Sequence, residues 1–221
     1  MPRPKQPLLS RDLIVQASVR IIDREGLGEL NLPSLAQELG VRAPSLYHHF
    51  RDKAEILAEV ARAIVLETPY PKYRSDPDWV TWMVDLCVNF RRAILRHPNA
   101  APLLLEFLPR DVMLSRYEKS ARKLRRAGVP EALHVTILDG CEKLALGSGL
   151  VEALHGQAPG RDAFRELNPT DHQVLAQALD VLSLSSEELF RVEVRNFLDG
   201  CVAAGAAQFP GHDGTASSPS V

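Results

Sequence analysis

The residues whose types and spacing point most clearly to a chemical role lie between positions 31 and 53, in the stretch NLPSLAQELGVRAPSLYHHFRDK. Two short helices are predicted here, joined at Gly40, where a left-handed turn would be hindered by a β-carbon. Ala36 is a small residue at which the second helix can cross the first, and Val41 fills the junction. Such a helix-turn-helix offers the start of its second helix to a DNA major groove. An ordinary corner between two helices that binds nothing fits the same pattern.

Patterns that support catalysis or metal binding do not stand out elsewhere. The seven histidines are scattered, and the sequence has no GxSxG, GxxxxGK[ST] or HExxH motif. The acidic pair Glu187–Glu188 is typical of a helix start. Cys87, Cys141 and Cys201 are widely separated, which favours three ordinary thiols in a reducing compartment. We therefore expect no enzyme, no cofactor and no metal site.

Composition narrows the remaining classes. The chain has 221 residues, of which 45% are hydrophobic and 24% charged, so it can bury a core in one large or two small domains. Aromatic residues make up only 6%, which favours helices over strands. No stretch reaches the roughly 18 apolar residues of a membrane span, and the N-terminus lacks the apolar segment of a signal peptide. We expect a cytoplasmic protein.

The distribution of charge is more informative than the net charge of −2. Residues 1–66 hold nine Lys/Arg against eight Asp/Glu, whereas the remainder holds 17 against 20. Arg3, Lys5 and Arg11 form a basic arm without any acidic residue among positions 1–11. This asymmetry permits nucleic-acid binding by the first third of the chain. A solvated tail explains the arm equally well.

Helical periodicity and end signals predict an all-α protein with two domains. The first domain, residues 1–67, has helices from a Ser10 cap to Gly26, from Asn31 to Gly40, from Ala43 to Phe50, and from an Asp52 cap to Glu67. A hinge is predicted over 68–77, because the segment is rich in proline and charge. The second domain, residues 68–209, has helices at about 78–97, 99–108, 110–127, 130–156, 170–183 and 186–209. A flexible tail is predicted over 210–221.

The segment LAQELGVRAPSLYHHFRDKAEIL resembles the DNA-binding domain of the TetR family of transcriptional repressors. The resemblance covers residues 10–66 and rests on Ala36, Gly40, Val41, Leu46, Tyr47, His49, Phe50 and Lys53. Weaker similarity at 89–101 and 146–150 points to the tetracycline-repressor branch. The resemblance implies a repressor that a small molecule releases from a palindromic operator. An enzyme and a helical adaptor that does not bind DNA are the competing classes.

The resemblance puts residues 42–45 at the groove-facing start of the recognition helix. Arg42 would donate to guanine or phosphate, and Ala43 would touch a thymine methyl. Pro44 and Ser45 complete this start of the helix.

A second set of side chains would hold the DNA backbone rather than read its sequence. Tyr47 and Lys53 resemble phosphate clamps, and His49 can donate to the same backbone. His48 would face the groove or solvent, and one pair of adjacent histidines is no metal site. A packing role for Tyr47 and a solvated Lys53 are the alternatives.

The resemblance implies that the second domain forms a homodimer. The segments 130–156 and 186–209 are the predicted dimer helices. The second segment is rich in small residues that allow helices to approach closely: Gly200, Ala203, Ala204, Gly205, Ala206 and Ala207. A helix packed within one chain is the alternative.

The effector pocket is expected between the helices at 78–97, 99–108, 110–127 and 130–156. Phe90 matches a ligand-contacting position of the family through its FRRA motif. The resemblance, registered on that motif and on Pro109, puts Leu86, Leu104 and Leu108 where tetracycline repressors carry Asn, His and Arg. Leucine cannot ligate the Mg²⁺ that accompanies tetracycline, so a more apolar effector is expected. Further candidates, each of which also fits a core, are Met113, Tyr117, Leu138, Cys141 and Glu142.

Overall fold

Helices account for the regular structure of this protein. The computed structural model describes residues 9–73, 78–155, 164 and 167–208, with side chains described up to residue 204. Within those ranges there are ten α-helices and no strand. The helices are α1 Arg11–Glu25, α2 Leu32–Leu39, α3 Ala43–Leu46, α4 Lys53–Leu66, α5 Trp79–Arg96, α6 Leu103–Glu106, α7 Arg110–Arg126, α8 Glu131–His155, α9 Gln173–Val181 and α10 Ser186–Gln208. The all-α prediction is confirmed.

The predicted helix starts of the first domain are confirmed by their caps. Ser10 Oγ accepts a hydrogen bond from the Leu13 amide at 3.2 Å, and Asp52 Oδ1 accepts from the Glu55 amide at 2.8 Å. Asn31 forms a reciprocal capping box with Ser34. Gly40 ends α2 in the left-handed region, with φ +65°. These bonds satisfy amides that the first turn of a helix leaves without a partner.

Two predicted helices are shorter than expected. The recognition helix was expected to run through Tyr47 to Phe50, but α3 ends at Leu46, and the amides of His49 and Phe50 both donate to the Leu46 carbonyl. This turn buries the Phe50 ring under α1 and leaves Asp52 free to cap α4. The segment 99–108 is not one helix. A 3₁₀ turn over Pro98–Ala100 is followed by α6, because Pro102 has no amide hydrogen to donate.

The core of the second part of the chain lies where α5, α8 and α10 pack together. Ile94 of α5 lies directly against Gly149 of α8, where a β-carbon would come within 2.9 Å of Ile94 Cδ1. Arg91 of α5 is buried and is held by Glu152 of α8, Ser148 Oγ at 3.0 Å and Ser186 Oγ at 2.5 Å. Charged hydrogen bonds of this kind satisfy the buried guanidinium.

Polar contacts help to join the first four helices to the second part of the chain. Arg62 of α4 forms two 2.7 Å hydrogen bonds with the carboxylate of Asp111 on α7. His97, after α5, lies 2.8 Å from the carboxylate of Asp23 at the end of α1. Asn99 Nδ2 donates to the Ile22 carbonyl at 3.1 Å. The N-terminal helices are therefore fixed against the helices that follow.

Some expectations fall outside the described residues. Arg3, Lys5 and the tail 210–221 are among them, as are the side chains of the small residues from Gly205 onwards. Within the described ranges, no helix combines the length and the apolar character that crossing a bilayer requires.

Candidate DNA-binding surface and effector cavity

The segment from Arg42 to Phe50 separates its apolar side chains from its polar ones. Leu46 and Phe50 are buried against the preceding helices, with exposed fractions of 1% and 3%. Arg42, which precedes α3, and Tyr47, which follows it, are both exposed. The segment is thus anchored from below and presents polar groups to solvent, as the helix-turn-helix prediction requires.

The other predicted DNA-binding residues differ in exposure. Pro44, His48 and Lys53 are exposed, whereas Ala43, Ser45 and His49 are partly buried. Lys53 is the first residue of α4, three residues after Phe50. The predicted DNA-binding residues therefore reach solvent to different extents along the stretch from 42 to 53.

Arg11 has a different role from the one predicted for the basic arm. It is the first residue of α1, and its guanidinium lies 4.1 Å from the centre of the Phe50 ring. The same group donates to the carbonyl of His49 and pairs with Glu55 at 3.0 Å. A guanidinium with these partners holds the end of the recognition segment in place. Arg11 is therefore not part of a flexible arm.

Arg51 was missed by the sequence prediction. It stands between His49 and Lys53, and 87% of its side chain is exposed. Its Nε lies 3.3 Å from Glu55 Oε2, and its amide donates to the same oxygen at 2.8 Å. Those bonds, together with Arg11, lower the pKa of Glu55. Its position two residues before Lys53, a predicted phosphate clamp, could have identified Arg51 as a further candidate for DNA binding.

A second candidate site is a cavity of about 50 Å³ lined by α5, α7 and α8. Seven of the nine predicted ligand-binding residues line it: Leu86, Phe90, Met113, Tyr117, Leu138, Cys141 and Glu142. The walls also include five residues that were not predicted: Met83, Cys87, Arg116, Ser120 and Ala145. The lining is predominantly apolar, which is typical of small-molecule sites.

Leu104 and Leu108 do not line this cavity. Leu104 of α6 is buried in the core, and Leu108 packs against the same core from the connection to α7. The register used to predict them assumed one continuous helix over 99–108. The structure instead divides the segment into the 3₁₀ turn Pro98–Ala100 and α6.

A small polar group lies on one side of the cavity. The Tyr117 hydroxyl donates to Glu142 Oε2, and Arg110 lies 3.4 Å from the other oxygen of the same carboxylate. Burial, followed by the hydrogen bond to the Glu142 carboxylate, raises the pKa of Tyr117. Tyr117 therefore enters the cavity as a neutral hydroxyl that binds a carboxylate.

Arg116 is the cation on the cavity wall, and burial lowers its pKa. Its guanidinium lies 4.6 Å from the centre of the Tyr70 ring and donates to the Thr68 carbonyl at 3.0 Å. These partners hold it at the edge of the cavity. The interior that remains for a ligand is chiefly apolar.

The cavity lining is poor in metal ligands. Among the described residues that line it, Glu142 is the one carboxylate, and it is engaged by Tyr117 and Arg110. Mg²⁺ requires octahedral oxygen ligands, including one or two carboxylates or equivalent groups from its ligand. No group of three His, Cys, Asp or Glu side chains in the described ranges is arranged to hold a metal ion.

Comparison with known proteins identifies the family. Residues 14–60 match the family described as bacterial regulatory proteins, tetR family. An HTH-type transcriptional regulator of Saccharopolyspora erythraea is 37% identical over 98 residues, which are 44% of this chain and 41% of that protein. The chain therefore spans less than half the length of that relative. The class E tetracycline repressor protein of Escherichia coli is 28% identical over 187 residues, covering 82% of this chain and 84% of the relative.

A solved structure extends the similarity to nearly the whole chain. The Streptomyces coelicolor TetR family protein ActR, in complex with actinorhodin, has a TM-score of 0.70 and 25% identity. The match covers 89% of this chain and 98% of that one. With a matching N-terminal domain, repressor relatives and a shared helical second part, the chain belongs to the TetR family of transcriptional regulators.

Proposed function

We propose that this regulator is a repressor that binds a palindromic operator as a homodimer and releases it when a small apolar molecule binds. The observation that carries the proposal is the recognition segment, whose polar side chains are exposed while Leu46 and Phe50 anchor it. Arg42, Ala43, Pro44 and Ser45 read the major groove. Tyr47, His49 and Lys53 hold the DNA backbone, and His48 faces the groove or solvent.

The proposed domains are residues 1–67 for DNA binding and 68–209 for the effector and the dimer, followed by a tail over 210–221. Exposed valines and leucines on α8 and α10 support the dimer. Val135, Val151 and Leu154 of α8 are 75%, 60% and 58% exposed. Val192 and Val202 add apolar surface on α10. A two-fold helical bundle would cover these side chains.

The proposed effector is predominantly apolar and binds without a divalent metal. The cavity between α5, α7 and α8 supports this proposal through its lining, in which Phe90, Leu86 and Leu138 supply apolar walls. Its volume of about 50 Å³ is far below the roughly 300 Å³ or more of a typical ligand site. A ligand must therefore displace a wall when it enters.

We expect the release of DNA to result from displacement of α7, which forms one wall of the cavity. α7 supplies Met113, Arg116, Tyr117 and Ser120 to the cavity, and Asp111 at its start is bonded to Arg62 of α4. Displacement of α7 is thus transmitted to the helix that follows the recognition segment. In a dimer, a small change in α4 alters the distance between two recognition segments. The ligand shifts this equilibrium only by its difference in affinity for the two shapes.

The proposal is tested by mobility-shift assays on random genomic fragments, followed by footprinting of the fragments that bind. A repressor dimer is expected to protect two symmetric half-sites spaced by about one helical turn or a multiple of it, roughly 10 bp or more. A helical adaptor would dimerise without retarding any fragment. Protection of one asymmetric half-site would contradict the dimeric arrangement.

A further inference from the structure

A second concavity lies beside the effector cavity, and cations dominate its lining. It has a volume of about 650 Å³ and is formed by one side chain of α5 and six of α7: Trp82, Ser115, Glu118, Lys119, Arg122, Lys123 and Arg126. We call it the basic groove. Four of its side chains are basic and one is acidic.

The four cations follow the helix rather than occurring at random. Lys119, Arg122, Lys123 and Arg126 stand at positions i, i+3, i+4 and i+7, so they share one face of α7. The row is about 10 Å long at 1.5 Å per residue. Like charges at these spacings repel one another and destabilise an isolated helix. A bound anion would offset that repulsion.

The local structure explains only part of this charge. α7 carries seven Lys/Arg against two acidic residues, in a chain whose net charge is −2. Basic residues in the last turn, such as Arg126, interact favourably with the helix dipole. Lys119 and Arg122 lie further back in the helix, where the dipole has little effect. Arg122 pairs with Glu118 at 2.7 Å, which neutralises one of the four cations.

Two stacked aromatic rings position Lys119 in the basic groove. The Lys119 ammonium lies 3.4 Å from the centre of the Tyr70 ring, and Tyr70 stacks on Trp82 with a centroid distance of 6.4 Å. A cation held over a ring keeps its charge and its remaining donors available. Lys119 is therefore positioned before a ligand arrives, which lowers the entropic cost of binding.

We propose that the basic groove is a binding site for the polyphosphate group of a small molecule. The row matches an anion with more than one phosphate, because Lys119 and Arg126 lie about 10 Å apart along it and the guanidinium of Arg126 can form paired hydrogen bonds with phosphate oxygens. Free di- or triphosphate and the phosphates of a nucleotide share this chemistry. The site is separate from the apolar cavity, and its occupation does not depend on the proposed operator binding.

The position of the groove argues against the DNA backbone as its occupant. The C-terminal end of α5 contacts α1 through His97, whereas Trp82 stands 15 residues earlier, about 22 Å along the helix axis. Asp111 at the start of α7 contacts α4, and Arg126 stands 15 residues later. Along α7 the groove runs from Ser115, one turn after Asp111, to Arg126, away from the contact with α4. Lys119 lies over Tyr70, which follows the C-terminal end of α4, whereas the recognition segment precedes the N-terminal end of α4 at Lys53.

Calorimetric titration of the full chain with tripolyphosphate, ATP and adenosine tests the proposal. In metal-free buffer of low ionic strength, tripolyphosphate and ATP are expected to bind saturably, one per chain, and adenosine is not. Equal affinity for the two anions would assign the site to the phosphate group alone. Tighter binding of ATP would assign it to nucleotides. Higher salt should weaken both, because Lys119, Arg122 and Arg126 are exposed.

Matched variants make the test specific. Lys119→Gln with Arg126→Gln is expected to raise the Kd by about tenfold or more. Arg125→Gln with Lys143→Gln removes the same charge from exposed positions outside the groove and should change the Kd less than about twofold. If the circular dichroism of the double variant shows a loss of helix, Arg126→Gln alone replaces it in the affinity measurement.

Several results would overturn the proposal. Absence of saturable binding to the wild type is one, and equal weakening in both double variants is another, since it would indicate attraction to net charge alone. Displacement of tripolyphosphate by duplex DNA from a Lys53→Ala variant would assign the groove to nucleic acid instead. None of these measurements uses an operator. Their outcome is therefore independent of the mobility-shift and footprinting test of the repressor proposal.

Discussion

At the scale of single residues, the recognition segment divides into side chains that can read bases and side chains that can hold the backbone. Arg42 is exposed at the start of α3, where a major groove would meet it. Tyr47 and Lys53 flank the turn at its other end. Because phosphates are alike in every sequence, loss of a phosphate contact weakens all sites equally.

Substitutions in these two sets should therefore have different effects. Lys53→Ala and Tyr47→Phe are expected to weaken binding to specific and unrelated DNA by the same factor. Arg42→Ala should weaken the specific site by about 1–3 kcal/mol per half-site and also change the preferred base. Fluorescence anisotropy on a panel of single-base operator variants measures both effects. A changed base preference in Lys53→Ala with unaltered non-specific affinity would show that the roles are assigned wrongly.

The Tyr117 hydroxyl gives a prediction for the effector cavity. Its raised pKa means that the phenol stays neutral in the folded protein above the usual tyrosine value near 10. The stability contributed by this group is present below the unfolded pKa and is lost as pH rises through the folded pKa. Difference titration of phenolate absorbance between wild type and Tyr117→Phe should reveal one tyrosine that ionises late. A difference step near pH 10 would contradict the buried hydrogen bond to Glu142.

At the scale of helices, end signals and periodicity predicted the fold well, and long-range packing caused the errors. Ser10, Asn31 and Asp52 cap their helices as expected, since a cap depends on neighbours within three residues. The length of α3 could not be read locally. Burial of Phe50 beneath α1, with Arg11 across its ring, decides where the chain leaves the helix.

Helical periodicity also explains which cavity residues could have been predicted from the sequence. Met113, Arg116, Tyr117 and Ser120 recur at helical spacing on α7, so the two unpredicted members lie on the face of the two predicted ones. Met83 and Cys87 accompany Leu86 and Phe90 on α5 in the same way. Periodicity applied to the predicted residues would have found these four. Leu104 and Leu108, which were registered on a single helix over 99–108, lie outside the cavity lining, and that segment is divided into a 3₁₀ turn and α6.

The apolar lining leads to a prediction about metal-dependent ligands. Tetracycline with Mg²⁺ is expected to bind weakly or not at all, because the cavity offers one carboxylate that Tyr117 and Arg110 already engage. Calorimetric titration with tetracycline and Mg²⁺, repeated with EDTA, measures this. Tight binding that the chelator abolishes would mean that other residues supply the ligands and that the apolar interpretation fails.

The exposed apolar side chains of α8 predict how the dimer can be broken. Val151→Glu with Leu154→Glu is expected to give a monomer, because a dimer would bury two carboxylates per chain without partners. Leu105→Glu with Leu114→Glu changes equally exposed leucines on α6 and α7 and should leave the dimer intact. Light scattering coupled to gel filtration gives the mass, and circular dichroism checks the fold. Both variants remaining dimeric would exclude this face as the interface.

At the scale of the whole molecule, charge is divided between surfaces in a way that the net value conceals. The chain carries a net charge of −2, yet Arg42, Arg51 and Lys53 are exposed on the recognition surface. DNA binding should therefore depend strongly on salt, since each phosphate that a cation neutralises releases condensed counterions. A two-fold dimer presents every such cation twice, once in each subunit. The salt dependence of DNA binding therefore measures the combined effect of the two copies.

Removal of one cation should consequently be counted twice. Lys53→Ala is expected to make the slope of the logarithm of the DNA-binding constant against log salt concentration less steep by about 2. Each lost phosphate contact changes this slope by about 0.9, and a dimer loses two. Tyr47→Phe removes a hydrogen bond without a charge, so its slope should equal that of the wild type even though its affinity falls. Operator affinities measured over a range of salt concentrations test both. A reduction near 1 for Lys53→Ala would indicate that a single subunit contacts the DNA. No reduction would mean that Lys53 is solvated in the complex and that the exposed Arg51 is the next cation to test.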